Sequence, residues 1–295
     1  MTGAERGLVL LTSHLGNPER KVLTAAQLRT LAQRARQMPP PQTDRELKEQ
    51  DLYALGYNRE MSARIAGLLE EEAELDAYLK RAAEAGCQCV ARIHSAYAQR
   101  LSGSLGADAP ACLWVKGDVT LLNTPAVALV GSRELRDENR DFAQAVGTYA
   151  AKQGWTLVSG NARGADRTAQ EACLAGGGRV ISIVADALES HRTRDGILYV
   201  SELDFDQPFS AQRALSRNRC IHAMGQLVFV AQSDLKKGGT WQGTAANLRY
   251  GWSPVLCFRD ESPAGAALAE LGAALITKEE LCSVRLPRQD QMTMF

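Results

Sequence analysis

Two short apolar runs in this chain end in the same kind of turn. Ala126–Val130 runs into Gly131, Ser132 and Arg133, and the run closing on Val158 leads into Ser159, Gly160, Asn161, Ala162, Arg163, Gly164, Ala165 and Asp166. Each turn lies where a buried strand would hand over to an amphipathic helix. Turn amides and helix N-termini offer free N–H donors and the positive end of the helix dipole, so the matching ligand is an oxyanion, phosphate above all. The spacing is not GxGxxG and no Gly-Lys-Ser/Thr follows, which excludes the dinucleotide fingerprint and the Walker A loop. Asp166 is placed to open the second helix as its N-cap, or to bond a ribose hydroxyl.

Cationic residues recur near later strand ends. Ser201-Glu202 closes the run LYVSE, and no carboxylate occurs from Gln207 to Ser233, an interval that holds Arg213, Arg217, Arg219 and His222. Arg213 and Arg217 are four apart and share a helix face, with Asn218 and Arg219 beside them. Unpaired guanidinium groups favour phosphate because the fork bonds two oxygens at once. After the run LVFVA come Lys236, Lys237, Gly238, Gly239 and Thr240, a compact phosphate-cradling loop at a helix start. The next residue, Trp241, either stacks on a base or packs. No nucleophile–base–acid set is evident, so no catalytic residue is assigned. Seven cysteines and four histidines complete no metal-ligand spacing, and no cofactor or metal is expected.

These turns need a scaffold, and the hydrophobic pattern supplies one. Short strands are expected at 89–93 and 113–116. A main parallel series follows at Ala126–Val130, Thr156–Ser159, 180–184, 198–201, 227–231 and Val255–Phe258, with helical patterns between most of them. Strands alternating with helices indicate an α/β doubly wound, Rossmann-like parallel sheet with ligands at the carboxyl ends of its strands. The first part reads as helical at 8–15, 23–35 and 46–55, with Thr24 as a cap and residues 38–41 as a loop. One long helix is then expected over 61–85, its EEEAELD stretch a solvated face. The expected division is a small N-terminal helical domain (1–84), a Rossmann-like core (85–285) and a C-terminal tail (286–295). The helical part either binds nucleic-acid backbone or caps the core.

A chain of 295 residues, 45% apolar, can bury a full core, and its length suggests about two domains. Thirty-four basic and 34 acidic residues cancel, so any nucleic-acid surface must be a local patch. The first residues carry no basic segment or cleavage signal, and no apolar run reaches membrane-spanning length. A cytoplasmic protein with reduced cysteines is the expectation.

The order VALVGSR, LVSGNARGAD, SE, RALSRNRCIHAMGQLVFV and a Gly-Thr-rich loop resembles the DNA-processing protein A (DprA/Smf) family, as does the lead-in AEAGCQCVARIHSAYAQRLSGSLGADAPACLWVKGD. The match covers roughly residues 80–260. The resemblance implies an extended Rossmann-like core that binds single-stranded DNA, usually as a homodimer, and that loads RecA recombinase onto it during transformation or recombination. It places the DNA and phosphate contacts at Gly131, Ser132 and Arg133; at Ser159, Gly160, Arg163, Gly164 and Asp166; at Arg217, Asn218 and Arg219; and at Gly238, Gly239 and Thr240. Three departures stand out. The family's Ser-Gly-Leu-Ala-x-Gly-Ile-Asp is here Ser-Gly-Asn-Ala-Arg-Gly-Ala-Asp, so Arg163 adds a charge. Lys236 and Lys237 precede Gly-Gly-Thr-Trp where Ser-Gly-Ser is usual. No segment resembles the winged-helix domain often found at the family's C-terminus.

An enzyme alternative comes from the nucleoside-monophosphate phosphoribohydrolases of the same superfamily, whose signature is similar to Pro-Gly-Gly-x-Gly-Thr-x-x-Glu. Here Asn247 holds the glutamate position. An amide can neither act as a general base nor stabilise positive charge at a ribosyl carbon as a carboxylate does. A nucleotide sensor signalling through the N-terminal helices is a third reading. Finally, Gln291, Met292, Thr293, Met294 and Phe295 are similar to the Gln-Leu-Ser/Asp-Leu-Phe peptide that binds the bacterial sliding clamp, with Met292, Met294 and Phe295 as apolar anchors.

Overall fold

The structure, a computed structural model, describes residues 1–37 and 47–286. Five helices open the chain: α1 (Gly3–Thr12), α2 (Ala25–Ala35), α3 (Glu49–Ala54), α4 (Arg59–Glu70) and α5 (Glu72–Glu84). Then follow β1 (Gln88–Ala91), α6 (Gln99–Leu105), β2 (Cys112–Lys116), β3 (Ala126–Val130), α7 (Asp137–Lys152), β4 (Thr156–Ser159), α8 (Ala165–Ala175), β5 (Arg179–Ile183) and β6 (Ile197–Ser201). The chain continues through α9 (Ala211–Met224), β7 (Val228–Val230), α10 (Gly238–Tyr250), β8 (Val255–Phe258), α11 (Pro263–Glu270) and β9 (Ala274–Ile276).

Among the described residues the strands form one 9-stranded sheet in the order β1-β2-β6-β5-β4-β3-β7-β8-β9. The β1–β2 and β2–β6 pairs are antiparallel and all the others parallel. The α/β doubly wound reading holds. β3 is the reason the sheet is wound twice. Val127 and Leu129 face one core layer with Phe142 of α7 and Ala169 of α8, while Ala128 and Val130 face the other with Ile221 and Met224 of α9. A strand covered on both faces must be apolar throughout, which is why these runs show no alternation. β4 lies on one side of β3 and β7 on the other, so a crevice opens beyond the carboxyl ends of β3 and β7 where the winding reverses.

Thr24 caps α2 as expected: its hydroxyl takes the Gln27 N–H at 3.2 Å and Gln27 Oε1 takes the Thr24 N–H at 3.0 Å. Two expectations need correction. The single helix over 61–85 is two, because Glu71 leaves helical geometry (φ −81°, ψ 43°) and accepts Arg20 Nε at 2.6 Å. That acidic stretch is a corner of the chain and not one solvated face. The sheet also extends one strand further than expected, to the short β9. The loop expected at 38–41 lies outside the described residues.

α1 and α5 pack on the sheet itself. Val9, Leu10, Leu75 and Tyr78 share the first core layer with Trp114 of β2, and Tyr78, Trp114 and Phe205 form an aromatic cluster with ring centroids 4.8–5.4 Å apart. The segment after β6 ties this layer to α9. Glu202 pairs with Arg219 Nη2 (3.2 Å). Asp204 accepts Ser13 Oγ (2.5 Å) and the His14 N–H (2.7 Å) at the end of α1, and Asp206 accepts Tyr78 Oη (2.7 Å) and Arg81 Nη2 (3.2 Å) of α5. No helix of the described residues is long and apolar enough to cross a membrane.

His222 of α9 is fully buried and neither ring nitrogen has a partner among the described residues. Burial pushes its pKa down to about 3 from the ordinary 6.5. The folded state then binds fewer protons than the unfolded state, so stability is full above pH 6.5 and falls as pH drops from there toward 3, by up to about 1.4 kcal/mol per pH unit. Urea unfolding of wild type and His222→Leu across pH 4–7 should show the extra slope in wild type alone; parallel profiles would refute it.

Candidate nucleic-acid interface

Gly164 brings the turns after β3 and β4 together. It has φ 87°, open to glycine at little cost, and a Cβ there would lie 2.4 Å from the Ser132 carbonyl oxygen. The Ala165 N–H donates to that same oxygen at 3.1 Å. The first turn is otherwise braced by the β7 loop, since Ser132 N–H donates to the Gln232 carbonyl (3.0 Å) and Arg136 N–H to Gln232 Oε1 (3.0 Å).

The second turn is not an empty phosphate cradle. Asn161 at φ 59° points the flanking amides inward, and Gly160 N–H and Ala162 N–H both donate to Asp166 Oδ2 at 3.1 Å. Asp166 is therefore not the N-cap of α8; Gly164 holds that position and Asp166 turns back to fill the corner with the chain's own anion. Burial raises the pKa of its carboxyl, and the Arg217 charge and the two amides offset part of that rise. Arg217 is itself buried, which lowers its pKa, with Asp166 the strongest of the charges opposing that shift. Its Nη1 donates to the Ile183 carbonyl at 2.9 Å while Nε has no described partner. A Cβ on Gly160 would lie 1.5 Å from Arg217 Nη1, so only glycine lets the guanidinium lie over the turn.

Two adjoining recesses open at these strand ends. One, of about 410 Å³, lies in the β3–β7 crevice and is lined by Gly131, Ser132, Asn218, Lys237, Gly238, Gly239 and Thr240 among others. Asn218 Nδ2 holds the start of α10 through the Gly239 carbonyl at 3.1 Å. The other, of about 650 Å³, extends over β4–β6 and is lined by Gly160, Arg163, Arg167, Gln170, Asp186, His191 and Arg194 among others. Arg133, Ala162 and Arg217 belong to both. Arg133, Arg167 and Arg194 have no side-chain hydrogen bond or ion pair with a described residue, so their charges are open to an anion.

Not every residue picked out in the sequence converges here. Arg219 points from the other side of α9 into its pair with Glu202 and to the Asp108 carbonyl (3.1 Å), so it is not an unpaired phosphate ligand. Arg213 is likewise engaged, by the Gln207 and Pro208 carbonyls and Ser201 Oγ. Ser159 is fully buried under Gln170, and Lys236 lines neither recess. Arg163 reaches Glu134 at 3.2 Å, an exposed pair of little energetic weight. Trp241 packs against the second core layer. Asn247 is buried and clamps the turn after α10, with Oδ1 accepting the Ser253 N–H (2.9 Å) and Nδ2 donating to the Ser253 carbonyl (3.0 Å). Arg167, Gln170, His191 and Arg194 were missed. The spacing of four from Arg163 to Arg167 and the basic run His191-Arg192-Thr193-Arg194 after β5 were the available signals.

Residues 88–285 match the family described as DNA recombination-mediator protein A. The chain belongs to that family. DNA processing protein DprA of Streptococcus pneumoniae is 32% identical over 142 residues, covering 44% of this chain and 50% of that protein. Protein Smf of Escherichia coli is 30% identical over 142 residues, covering 44% and 38%. The matches thus span about half the length, or less, of these curated relatives. The Streptococcus pneumoniae DprA structure superposes with TM-score 0.75 at 22% identity over 98% of this chain and 99% of that one, a likeness of fold. A Helicobacter pylori DNA processing protein A, described for its single-stranded DNA binding mode, gives TM-score 0.55 at 26% identity over 67% and 93%. The family region takes in all the turns and recesses described above.

The buried charges in this family member set a test. Arg217→Ala leaves the Asp166 carboxylate without its cation and should cost about 3–5 kcal/mol of stability by urea unfolding. Adding Asp166→Asn should recover part of that loss. If the two substitutions are additive, the charges are not coupled.

Proposed function

We propose that this chain binds single-stranded DNA through its phosphates, with little sequence preference, and acts in DNA recombination, uptake or repair by helping to load RecA recombinase as a homodimer. The observation that carries the reading is the set of open cations, Arg133, Arg167 and Arg194, along adjoining recesses at the carboxyl ends of the parallel strands. The start of α10, with Lys237, adds donors on the crevice side. The single-stranded DNA binding described for the Helicobacter pylori relative supports the same reading. In this assignment residues 85–285 form the DNA-binding unit, and the protein works in the cytoplasm without catalytic turnover. The structural engagement of Asn247 favours DNA binding over the phosphoribohydrolase alternative, because that position holds a turn together.

Affinity for oligo-dT should fall with salt at a log–log slope of roughly 0.7 per neutralised phosphate. Arg133→Ala combined with Arg167→Ala should weaken binding and flatten that slope by about one to two units. Wild-type behaviour of this double variant in fluorescence anisotropy would remove the assignment. Stimulation of RecA filament formation on the same DNA tests the loading role separately.

We also propose that Gln291, Met292, Met294 and Phe295, which lie outside the described residues, bind the sliding clamp. The last ten residues as a peptide should bind purified clamp at roughly micromolar affinity. Deleting Phe295 from the full protein should abolish that interaction; unchanged binding would exclude the peptide as the contact.

A further inference from the structure

The larger recess is bigger than a phosphate needs. At about 650 Å³ it falls in the range of small-ligand sites. Its lining mixes two chemistries. Arg133 and Arg217, shared with the crevice, and Arg163, Arg167 and Arg194 supply cations, with Glu171 among them. Other lining residues present acceptors. Gln170 of α8 is 5% exposed, and its Nε2 donates to Ser159 Oγ at 2.6 Å and to Ser182 Oγ at 3.4 Å. Those serines are register partners on β4 and β5, so the amide is held from two strands. Both amide hydrogens are used and Oε1 accepts from no described residue, leaving a fixed acceptor in the wall. Asp186 adds a second acceptor, its Oδ1 at 2.9 Å from His191 Nε2, and the His191 ring is stacked on Tyr199 (centroids 4.7 Å, 25°).

A ligand that satisfies both chemistries carries a phosphate for the arginines and an N–H donor for the acceptors. We propose that this recess binds a free nucleoside monophosphate whose base bears an exocyclic amino group, adenine, cytosine or guanine, with the phosphate at Arg133, Arg163 and Arg167 and the amino group on Gln170 Oε1. Uracil offers a carbonyl at the matching edge, which sets acceptor against acceptor and leaves Oε1 unpaired once the ligand covers it. The inference rests on these arginines forming a phosphate site and goes beyond DNA: strand and nucleotide share them, so they compete.

The test is calorimetric titration of the full chain at fixed salt with AMP, CMP, UMP, N6,N6-dimethyl-AMP and inorganic phosphate, beside anisotropy of labelled oligo-dT. AMP and CMP should bind about tenfold more tightly than UMP, the worth of one buried hydrogen bond. Dimethyl-AMP, which lacks the donor, should fall to the level of UMP, and AMP should displace oligo-dT. Gln170→Leu should erase the difference between AMP and UMP; the dimethylated ligand asks the same question without a variant. Equal binding of AMP, UMP and dimethyl-AMP, or AMP no tighter than phosphate, would overturn the proposal. Oligo-dT binding with no mononucleotide binding would overturn it and leave DNA binding standing. AMP binding without oligo-dT binding would uphold it and remove the DNA assignment.

Discussion

The site depends on one buried charge arrangement. Asp166 is drawn back onto the amides of Gly160 and Ala162, and the Arg217 guanidinium lies over the same turn. Neither ion would stand in this interior alone, since an unpaired buried charge costs several kcal/mol. Together they hold the turn after β4 in a fixed shape and seat α9 against the carboxyl ends of the sheet. Arg133, on the facing turn, then stands where the two recesses meet.

That arrangement changes what the corner can offer a ligand. In a glycine-rich phosphate loop the backbone amides point outward and the ligand supplies the negative charge. Here two of those amides already have a carboxylate, so the anion-binding burden moves to side chains: Arg133, Arg167 and Arg194 around the recesses, and Lys237 beside α10. Side-chain cations tolerate varied phosphate positions better than a rigid amide cradle does. A groove of this kind suits a flexible polyanion as readily as a single fixed phosphate.

Much of the scaffold was legible in the residues. The strands Ala126–Val130, Thr156–Ser159 and Val255–Phe258 coincide with their apolar runs because both faces of the sheet are covered and the turns after them are rich in glycine and polar residues. β9 escaped notice because three residues, one exposed, one half-buried and one buried, leave hardly any periodic trace. The break at Glu71 escaped because each half of the 61–85 pattern is a good helix, and only the contact with Arg20, 51 positions away, shows where the chain must turn. The arginines mark the clearest limit. Spacing puts Arg213, Arg217 and Arg219 on one helix, yet Arg219 is paired with Glu202 and Arg213 is held by hydrogen bonds to carbonyls before α9. Local sequence reports which cations are present; tertiary contacts determine which remain open.

The segment from Glu202 to Asp206 has a consequence for how this fold can vary. Its residues alternate in attachment: 202 to α9, 204 to α1 and 206 to α5, with Phe205 sunk between Tyr78 and Trp114. A chain of bends and turns whose acids are each tied to a different helix has no slack for a single insertion or deletion, which would point each acid at the wrong neighbour. The stretch just beyond it, before α9, has no such constraint. Length variation among relatives should therefore be tolerated after residue 206 and excluded between 202 and 206. Five residues thus act as a gauge block, setting the distance between the N-terminal helices and the helix that carries Arg217.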